Sequence, residues 1–301
     1  MRAFWSALIV TLLAGVSANG QERGQKLQAC SEEFWRRVSH AARFSPIRRS
    51  PMDVLLGRWT LDSSPFFVAF DLAARLFSPY DLNPQGANPL RDILADCVDF
   101  KRAAKSPIHL FVTATNVRTG RGRVFRNNEL TPDVLLASAC LPTLFQAIEI
   151  DGEAYWDGGY LGNPALFPLR SPALAADLLI VWVNPLNQLT VPTTAREILD
   201  RLNEVSFNAT LLKELRMIAL LRQVADAGTG EGALWAGMRM HLVSSTTIDE
   251  LGASSKFNAE WDFLTMLKAE GHRCAESFLA KNGGNVGRQS TVNLDVLLEQ
   301  V

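Results

Sequence analysis

The spacing of apolar residues along the first third of the chain predicts three helices. Across residues 25–42, apolar and polar positions alternate at helical spacing. Residues 66–77 contain neither glycine nor proline and residues 90–98 are amphipathic, so both stretches are predicted to be helical. Residues 79–89, which lie between them, are rich in proline, asparagine and glycine and are therefore predicted to form a loop.

A near-continuous apolar run over residues 108–115 gives the clearest strand signal. Such a run is typical of a strand that is buried on both faces, as in a parallel sheet. We expect His109, within this run, to be a core residue whose ring nitrogens are satisfied. Residues 116–123 form a polar turn, and residues 124–126 are predicted to be a short returning strand.

Local signals predict a helix and a hairpin further along the chain. Thr131 is a favourable N-cap and Pro132 suits the first helical position, so a helix is predicted to begin there. Two short strands, around residues 145–150 and 154–156, are separated by Asp151-Gly152, which is a favoured hairpin turn.

The second half of the chain alternates between the two kinds of element. Residues 177–183 and 238–243 are predicted strands, and residues 195–227 and 257–279 are predicted helices. Strands that alternate with helices indicate the α/β class. We therefore expect a three-layer α/β sheet with flanking helices and a helical C-terminal region packed on it.

Composition narrows the range of functions. The chain has 301 residues, of which 48% are hydrophobic, so it can form one large domain or two closely packed ones. A net charge of −1 gives no reason to expect nucleic-acid binding, which needs a concentrated basic face. The four cysteines lie far apart and none has C-x-x-C spacing, so we expect reduced packing cysteines and no zinc or redox site.

Two interpretations fit residues 1–18. Arg2, the apolar stretch after it and Val16-Ser17-Ala18 resemble a signal peptide with its cleavage site. The alternative is a buried apolar helix of a cytoplasmic protein. The stretch is short for a membrane span, which needs about 20 apolar residues.

The sharpest candidate for chemistry is Asp157, which Gly158 and Gly159 follow directly. A carboxylate at the end of a short strand, on a loop held by a rigid sheet, suits general-base catalysis. Glycines after it can adopt positive φ and remove side chains that would block a ligand. The structural alternative is an ordinary Asp-Gly turn between strands.

The sequence around this motif resembles the patatin-like phospholipases, in which a helix leads into a hairpin that ends in Asp-Gly-Gly or Asp-Gly-Ala. The resemblance rests on the ASACLP segment at 137–142, on Ile150-Asp151-Gly152 and on Trp156-Asp157-Gly158-Gly159. Residues 111–120 are also similar to the family, and residues 34–39, 78–84 and 206–212 resemble a bacterial branch of it. The similarity covers roughly residues 19–280.

The resemblance implies a Ser–Asp dyad that hydrolyses acyl esters of phospholipids or acylglycerols. A serine on a G-x-S-x-G elbow attacks the ester carbonyl, the aspartate takes its proton, and a glycine-rich loop donates N–H groups to the oxyanion. On this chain Asp157 is the implied base, and Gly158 and Gly159 complete its motif. The resemblance also implies a lipid or membrane-surface substrate, no cofactor, no metal and structural roles for the histidines.

Two elements of the family are absent from this sequence, which contains neither G-x-S-x-G nor a GGGxxG-type loop near its start. The nearest approach to an elbow is Gly15-Val16-Ser17-Ala18-Asn19, where asparagine stands in place of the last glycine. Ser17 is therefore the nearest candidate nucleophile, and Ser6 is a more distant one. We expect this chain alone to be inactive or nearly so.

Two explanations for the missing elbow remain open. Either the chain starts late and lacks the first strands, or a signal peptide precedes a divergent, inactive relative. We favour the first, because the similarity resumes directly after the apolar stretch. The predicted division is an apolar segment at 1–18, an N-terminally incomplete patatin-like domain at 19–186 and a mostly helical region at 187–301.

Two expectations about the whole protein follow. We expect a cytoplasmic location, with peripheral attachment to membranes as one form of it and export as the alternative. A non-catalytic lipid-binding or regulatory protein that kept the fold is the competing functional interpretation.

Overall fold

A computed structural model describes residues 21–169, 176–188, 191–224 and 231–299 of the chain. The chain divides into two compact units. The first contains the described residues up to Leu161 together with Leu251–Leu267, and the second contains those of Gly162–Glu250 and from Lys268 onward. Each unit has a hydrophobic core of its own.

Helices dominate the start of the first unit, where the described residues form three short α-helices besides the three that the apolar spacing predicts. They are α1 (Gln21–Ala41), α2 (Pro51–Leu55), α3 (Pro65–Leu76), α4 (Pro79–Leu82), α5 (Leu90–Cys97) and α6 (Phe100–Ala104). The loop predicted over residues 79–89 is wrong at its beginning, where α4 lies. Ser78 and Asp81 form a capping box in which each side chain accepts a hydrogen bond from the other residue's backbone N–H, and this stabilises the single helical turn.

The first unit contains a four-stranded sheet in the order β2-β1-β4-β3, and every pairing in it is antiparallel. Its strands are β1 (Phe111–Asn116), β2 (Gly122–Arg126), β3 (Ile148–Ile150) and β4 (Glu153–Asp157), and helix α7 (Pro132–Ala137) lies between β2 and β3 in sequence. The parallel arrangement expected for residues 108–115 is therefore wrong. The burial of β1 comes instead from contacts with α7 and with the turn at residues 158–160.

The turn that joins β3 to β4 confirms the hairpin signal. Asp151 and Gly152 have φ of 55° and 77°, so both adopt the left-handed conformation that a tight two-residue hairpin turn requires. This hairpin sets the direction of β4, whose last residue is Asp157.

A core between α7 and the sheet holds β4 in place. Val134 of α7 packs with Ala114 of β1, Phe125 of β2 and Tyr155 of β4, and all four are buried. The rings of Phe125 and Tyr155 meet edge to face, with 5.7 Å between their centroids. Thr131 caps α7 by accepting a hydrogen bond from the Val134 N–H at 3.3 Å, as its sequence position predicts.

Two parallel strands lie in the second unit, β5 (Asp177–Val181) and β6 (Arg239–Val243). The remaining helices in chain order are α8 (Ala195–Val224), α9 (Glu231–Ala236), α10 (Thr246–Asp249), α11 (Trp261–Asn282) and α12 (Leu294–Glu299). Leu211 and Leu215 of α8 pack in one core with Ile180 and Met240 of the strands. This mixture of helix and sheet, with a mostly helical C-terminal region, agrees with the predicted α/β class.

No helix within the described ranges combines the length and apolar composition that a bilayer crossing requires.

Candidate active site

The backbone of Asp157 is held on two sides by hydrogen bonds. Its N–H donates to the Cys140 carbonyl at 2.8 Å, and its own carbonyl accepts from the Thr115 hydroxyl at 2.8 Å. In the sheet it stands opposite Ala114 of β1. The position of the residue is therefore set by the sheet and by the segment that follows α7.

The Asp157 carboxylate is fully buried, with 0% of the residue exposed. Oδ1 accepts a hydrogen bond from the Gly159 N–H at 2.8 Å, whereas Oδ2 has no hydrogen-bond partner among the described residues. A buried acceptor without a partner costs about 1–3 kcal/mol. Burial raises the pKa of Asp157 to about 6, and the Gly159 N–H acts in the opposite direction. At neutral pH such a carboxylate is mostly ionised and can accept a proton from a nucleophile.

Gly158 lies where the backbone leaves no room for a side chain. A Cβ at this position would lie 1.9 Å from the Thr113 carbonyl oxygen, so any other residue would have to displace the strand. Neither Gly158 nor Gly159 has a positive φ, and that part of the interpretation of the two glycines is wrong. Close approach to β1 is what requires glycine at position 158.

The charge of Asp157 raises the pKa of two neighbouring side chains. Burial is the larger cause and the charge of Asp157 the smaller one, and together they raise the pKa of the Cys140 thiol to about 12. The same two causes raise the pKa of the Tyr160 hydroxyl to about 12. The Cys140 thiol donates to the Gln146 carbonyl at 3.1 Å. Both side chains therefore remain protonated at neutral pH, which leaves Asp157 as the ionised member of this cluster.

The candidate nucleophiles Ser17 and Ser6 lie outside the described residues, as does the whole segment 1–18. The prediction for His109 is wrong, because β1 begins two residues after it and His109 is exposed. The buried histidine is His241 on β6, where each ring nitrogen has a partner.

Sequence reasoning missed a charged cluster in the second unit. The Asp177 carboxylate pairs with Arg239 at 2.7 Å and with His241 at 2.9 Å, and it also accepts from the Gly287 N–H at 2.8 Å. The pKa of Asp177 is held well below its usual range, mainly by the hydrogen bonds that Arg239 donates to its carboxylate. The other nitrogen of His241 contacts the Thr291 hydroxyl at 3.0 Å. The parallel register of β5 and β6 brings Asp177 close to Arg239 and His241, and the sequence contains no local sign of it.

A groove of about 630 Å³ lies in the second unit. Arg222, Ser290, Thr291 and Asn293 line part of it. Within the described ranges, no three or more His, Cys, Asp or Glu side chains are grouped so that they could hold a metal ion.

Comparison with known proteins gave one family. A family model described as patatin-like phospholipase matches residues 11–170, which are 160 of the 301 residues. The matched span contains Asp157, both glycines that follow it and Ser17. No curated protein matched the chain.

Proposed function

Because this chain belongs to the patatin-like phospholipase family, we propose that Asp157 is the general base of a Ser–Asp dyad that hydrolyses acyl esters of phospholipids or acylglycerols. The observation that carries the proposal is the buried Oδ2 of Asp157, which has no hydrogen-bond partner among the described residues. A native protein has reason to retain such an atom when another group, here a serine hydroxyl, approaches it during the reaction.

The proposed chemistry has two steps. In the first, a serine hydroxyl transfers its proton to Oδ2 of Asp157 as its oxygen attacks the ester carbonyl, and the alcohol leaves with that proton. In the second, Asp157 takes a proton from a water molecule as the water oxygen attacks the carbonyl of the acyl-serine, and the serine oxygen leaves with that proton, which releases the fatty acid and regenerates both residues. The Gly159 N–H keeps Oδ1 occupied, so that Oδ2 is the oxygen that accepts the proton in both steps.

We propose further that the chain given by this sequence has little or no hydrolytic activity. It contains no G-x-S-x-G motif, and its candidate nucleophile Ser17 stands in a sequence where asparagine replaces the last glycine. Loss of one member of a catalytic pair removes most of the rate enhancement, and loss of an oxyanion donor costs a further ~10²–10³-fold.

A hydrolysis assay tests both statements. The purified chain and Asp157→Asn are compared on a p-nitrophenyl ester and on phospholipid vesicles, and we expect fatty-acid release at background level from both. If the purified chain releases fatty acid and Asp157→Asn abolishes that release, the chain is active and the role of Asp157 as general base is supported. Release that survives Asp157→Asn would remove Asp157 from the mechanism.

A direct titration tests the base without activity. Carboxyl-carbon NMR of the chain, assigned by the loss of one signal in Asp157→Asn, should give a midpoint near pH 6. A midpoint near the ordinary value of 3.8 would mean that the carboxylate is solvated, and the proposed role would then lose its basis.

The absence of the elbow motif favours a second candidate, a non-catalytic lipid-binding or regulatory protein. This candidate requires lipid binding without turnover, and Asp157→Asn should leave that binding unchanged. Lipid binding that depends on Asp157 would instead favour a substrate site around the carboxylate.

A further inference from the structure

Residues 43–58 of the first unit expose five large apolar side chains close together in sequence, namely Phe44, Met52, Val54, Leu55 and Leu56. Phe44 is 89% exposed, Leu55 80%, Met52 60% and Leu56 52%. Single exposed apolar residues are common on soluble proteins, but a group of this kind is typical of a surface that binds something.

The charges that this segment presents to solvent are all positive. Arg43, Arg48 and Arg58 are exposed, and none of them forms an ion pair with a described residue. The acidic residue of the segment, Asp53, is 1% exposed and accepts a hydrogen bond from the Ser50 hydroxyl at 2.7 Å. The outer surface therefore combines apolar side chains with three arginines.

The base of the segment is firmly held. The Arg49 side chain is 6% exposed and pairs with Glu260 at 2.6 Å, and the Arg49 backbone N–H donates to the same carboxylate at 3.1 Å. The guanidinium also stacks 4.2 Å above the Trp59 ring and donates to the Arg58 carbonyl. These contacts fix the middle of the segment to the rest of the unit, and a segment that is already ordered lowers the entropic cost of binding.

We propose that residues 43–58 dock the protein onto an anionic lipid surface. Phe44 and Leu55 enter the boundary between headgroups and acyl chains, while the three arginines contact anionic headgroups. The inference rests on the proposed function in one respect, since it takes a lipid aggregate as the place where the substrate lies.

Charge argues against a second copy of the chain as the occupant. In a two-fold symmetric dimer the same patch faces itself, so Arg43, Arg48 and Arg58 of both copies would approach one another. Like charges in an interface oppose association, whereas an anionic membrane neutralises them.

Vesicle sedimentation with the full chain tests the proposal. We expect binding to vesicles of phosphatidylcholine and phosphatidylglycerol at 3:1 and much weaker binding to pure phosphatidylcholine. Arg43→Gln, Arg48→Gln and Arg58→Gln together should weaken binding to the anionic vesicles by roughly 100-fold, because each arginine near such a surface contributes about fivefold. Phe44→Ser with Leu55→Ser should weaken it by about tenfold or more.

Leu279→Ser is the matched control, because Leu279 is a 62% exposed apolar residue outside the segment, and it should bind like the wild type. Circular dichroism and thermal unfolding verify that each variant is folded. Equal binding to both vesicle types, or binding that neither set of substitutions weakens, overturns the proposal. So does a dimer in sedimentation velocity that Phe44→Ser with Leu55→Ser dissociates while vesicles are not bound.

Asp157→Asn separates this inference from the proposed chemistry. Because Asp157 does not belong to the docking segment, its substitution should leave vesicle binding unchanged. If vesicle binding persists and Asp157 proves to have no role in hydrolysis, the docking proposal holds although the proposed catalytic role of Asp157 is wrong.

Discussion

At the scale of single residues, the Asp157 carboxylate loses its hydration on folding, and hydrogen bonds from the protein replace only part of it. Oδ1 receives the Gly159 N–H, and Oδ2 receives nothing from the described residues. The folded-state pKa of about 6 lies above the ordinary value of 3.8, so folding favours the protonated form. The native state therefore has its full stability contribution from this group at low pH and loses it as the pH rises from about 4 through 6.

This linkage predicts a pH-dependent effect of Asp157→Asn. The wild type should lose about 1–2 kcal/mol of unfolding free energy relative to the variant between pH 5 and pH 8, because only the wild type must keep a charge buried. Urea unfolding at the two pH values measures it. Asp151→Asn, at an exposed hairpin position, is the control and should show little change; a flat difference for Asp157→Asn would contradict the raised pKa.

Gly158→Ala should destabilise the first unit by roughly 2–4 kcal/mol, since its new methyl group meets a backbone oxygen and not a movable side chain. Gly271→Ala is the matched control. Gly271 lies in α11 with nothing within 4 Å of an added Cβ, and the same substitution there should stabilise the protein by up to about 1 kcal/mol. Thermal unfolding of the two variants and the wild type measures both effects. Equal stability of Gly158→Ala and the wild type would show that position 158 does not require glycine.

At the scale of elements, the N-cap of α7 offers a test of how strongly local sequence holds the frame around Asp157. Thr131→Ala should cost about 1 kcal/mol, because the Val134 N–H loses its acceptor, and Thr131→Ser should cost much less. Urea unfolding measures both. Equal effects of the two substitutions would show that the hydroxyl does not act as a cap.

The elements that the sequence predicts well are those determined locally. The cap at Thr131, the hairpin at Asp151-Gly152 and the long helix α8 all depend on neighbours within a few residues. The direction in which β1 pairs was predicted wrongly, because an apolar run reports burial and not which strand supplies it. The cluster around Asp177 could not be predicted either, since its partners Arg239, His241 and Gly287 lie 62–110 residues from Asp177 in the sequence.

The candidate site divides in the same way. Asp157 stands out in the sequence because two glycines follow it, but its free Oδ2 and its raised pKa depend on strands and loops that only folding brings together. The sequence predicted that Gly158 leaves room for a ligand and adopts a positive φ, whereas the structure shows that the Thr113 backbone fills the space where a side chain would lie and that φ is not positive.

At the scale of the whole molecule, the net charge of the chain and the local charge of residues 43–58 predict opposite effects on binding to an anionic membrane. The chain as a whole carries −1, which gives no attraction to an anionic bilayer, whereas residues 43–58 present three exposed arginines that form no ion pair with a described residue. Any attraction must therefore be short in range and easily screened, because the Debye length falls from about 10 Å at 0.1 M salt to 3 Å at 1 M.

Salt should accordingly weaken binding to anionic vesicles by about tenfold or more between 50 and 500 mM NaCl. Sedimentation across a salt series measures this, with the triple Arg→Gln variant as the control that should respond far less. Binding that strengthens with salt would point to apolar insertion alone.

The contact between Gly158 and the Thr113 carbonyl has a consequence for how this protein can diverge. Position 158 is restricted by the packing of one chain segment against another, whatever reaction the protein performs, whereas position 157 is restricted only while a proton has to be moved. In descendants that abandon catalysis, the glycine should therefore outlast the aspartate.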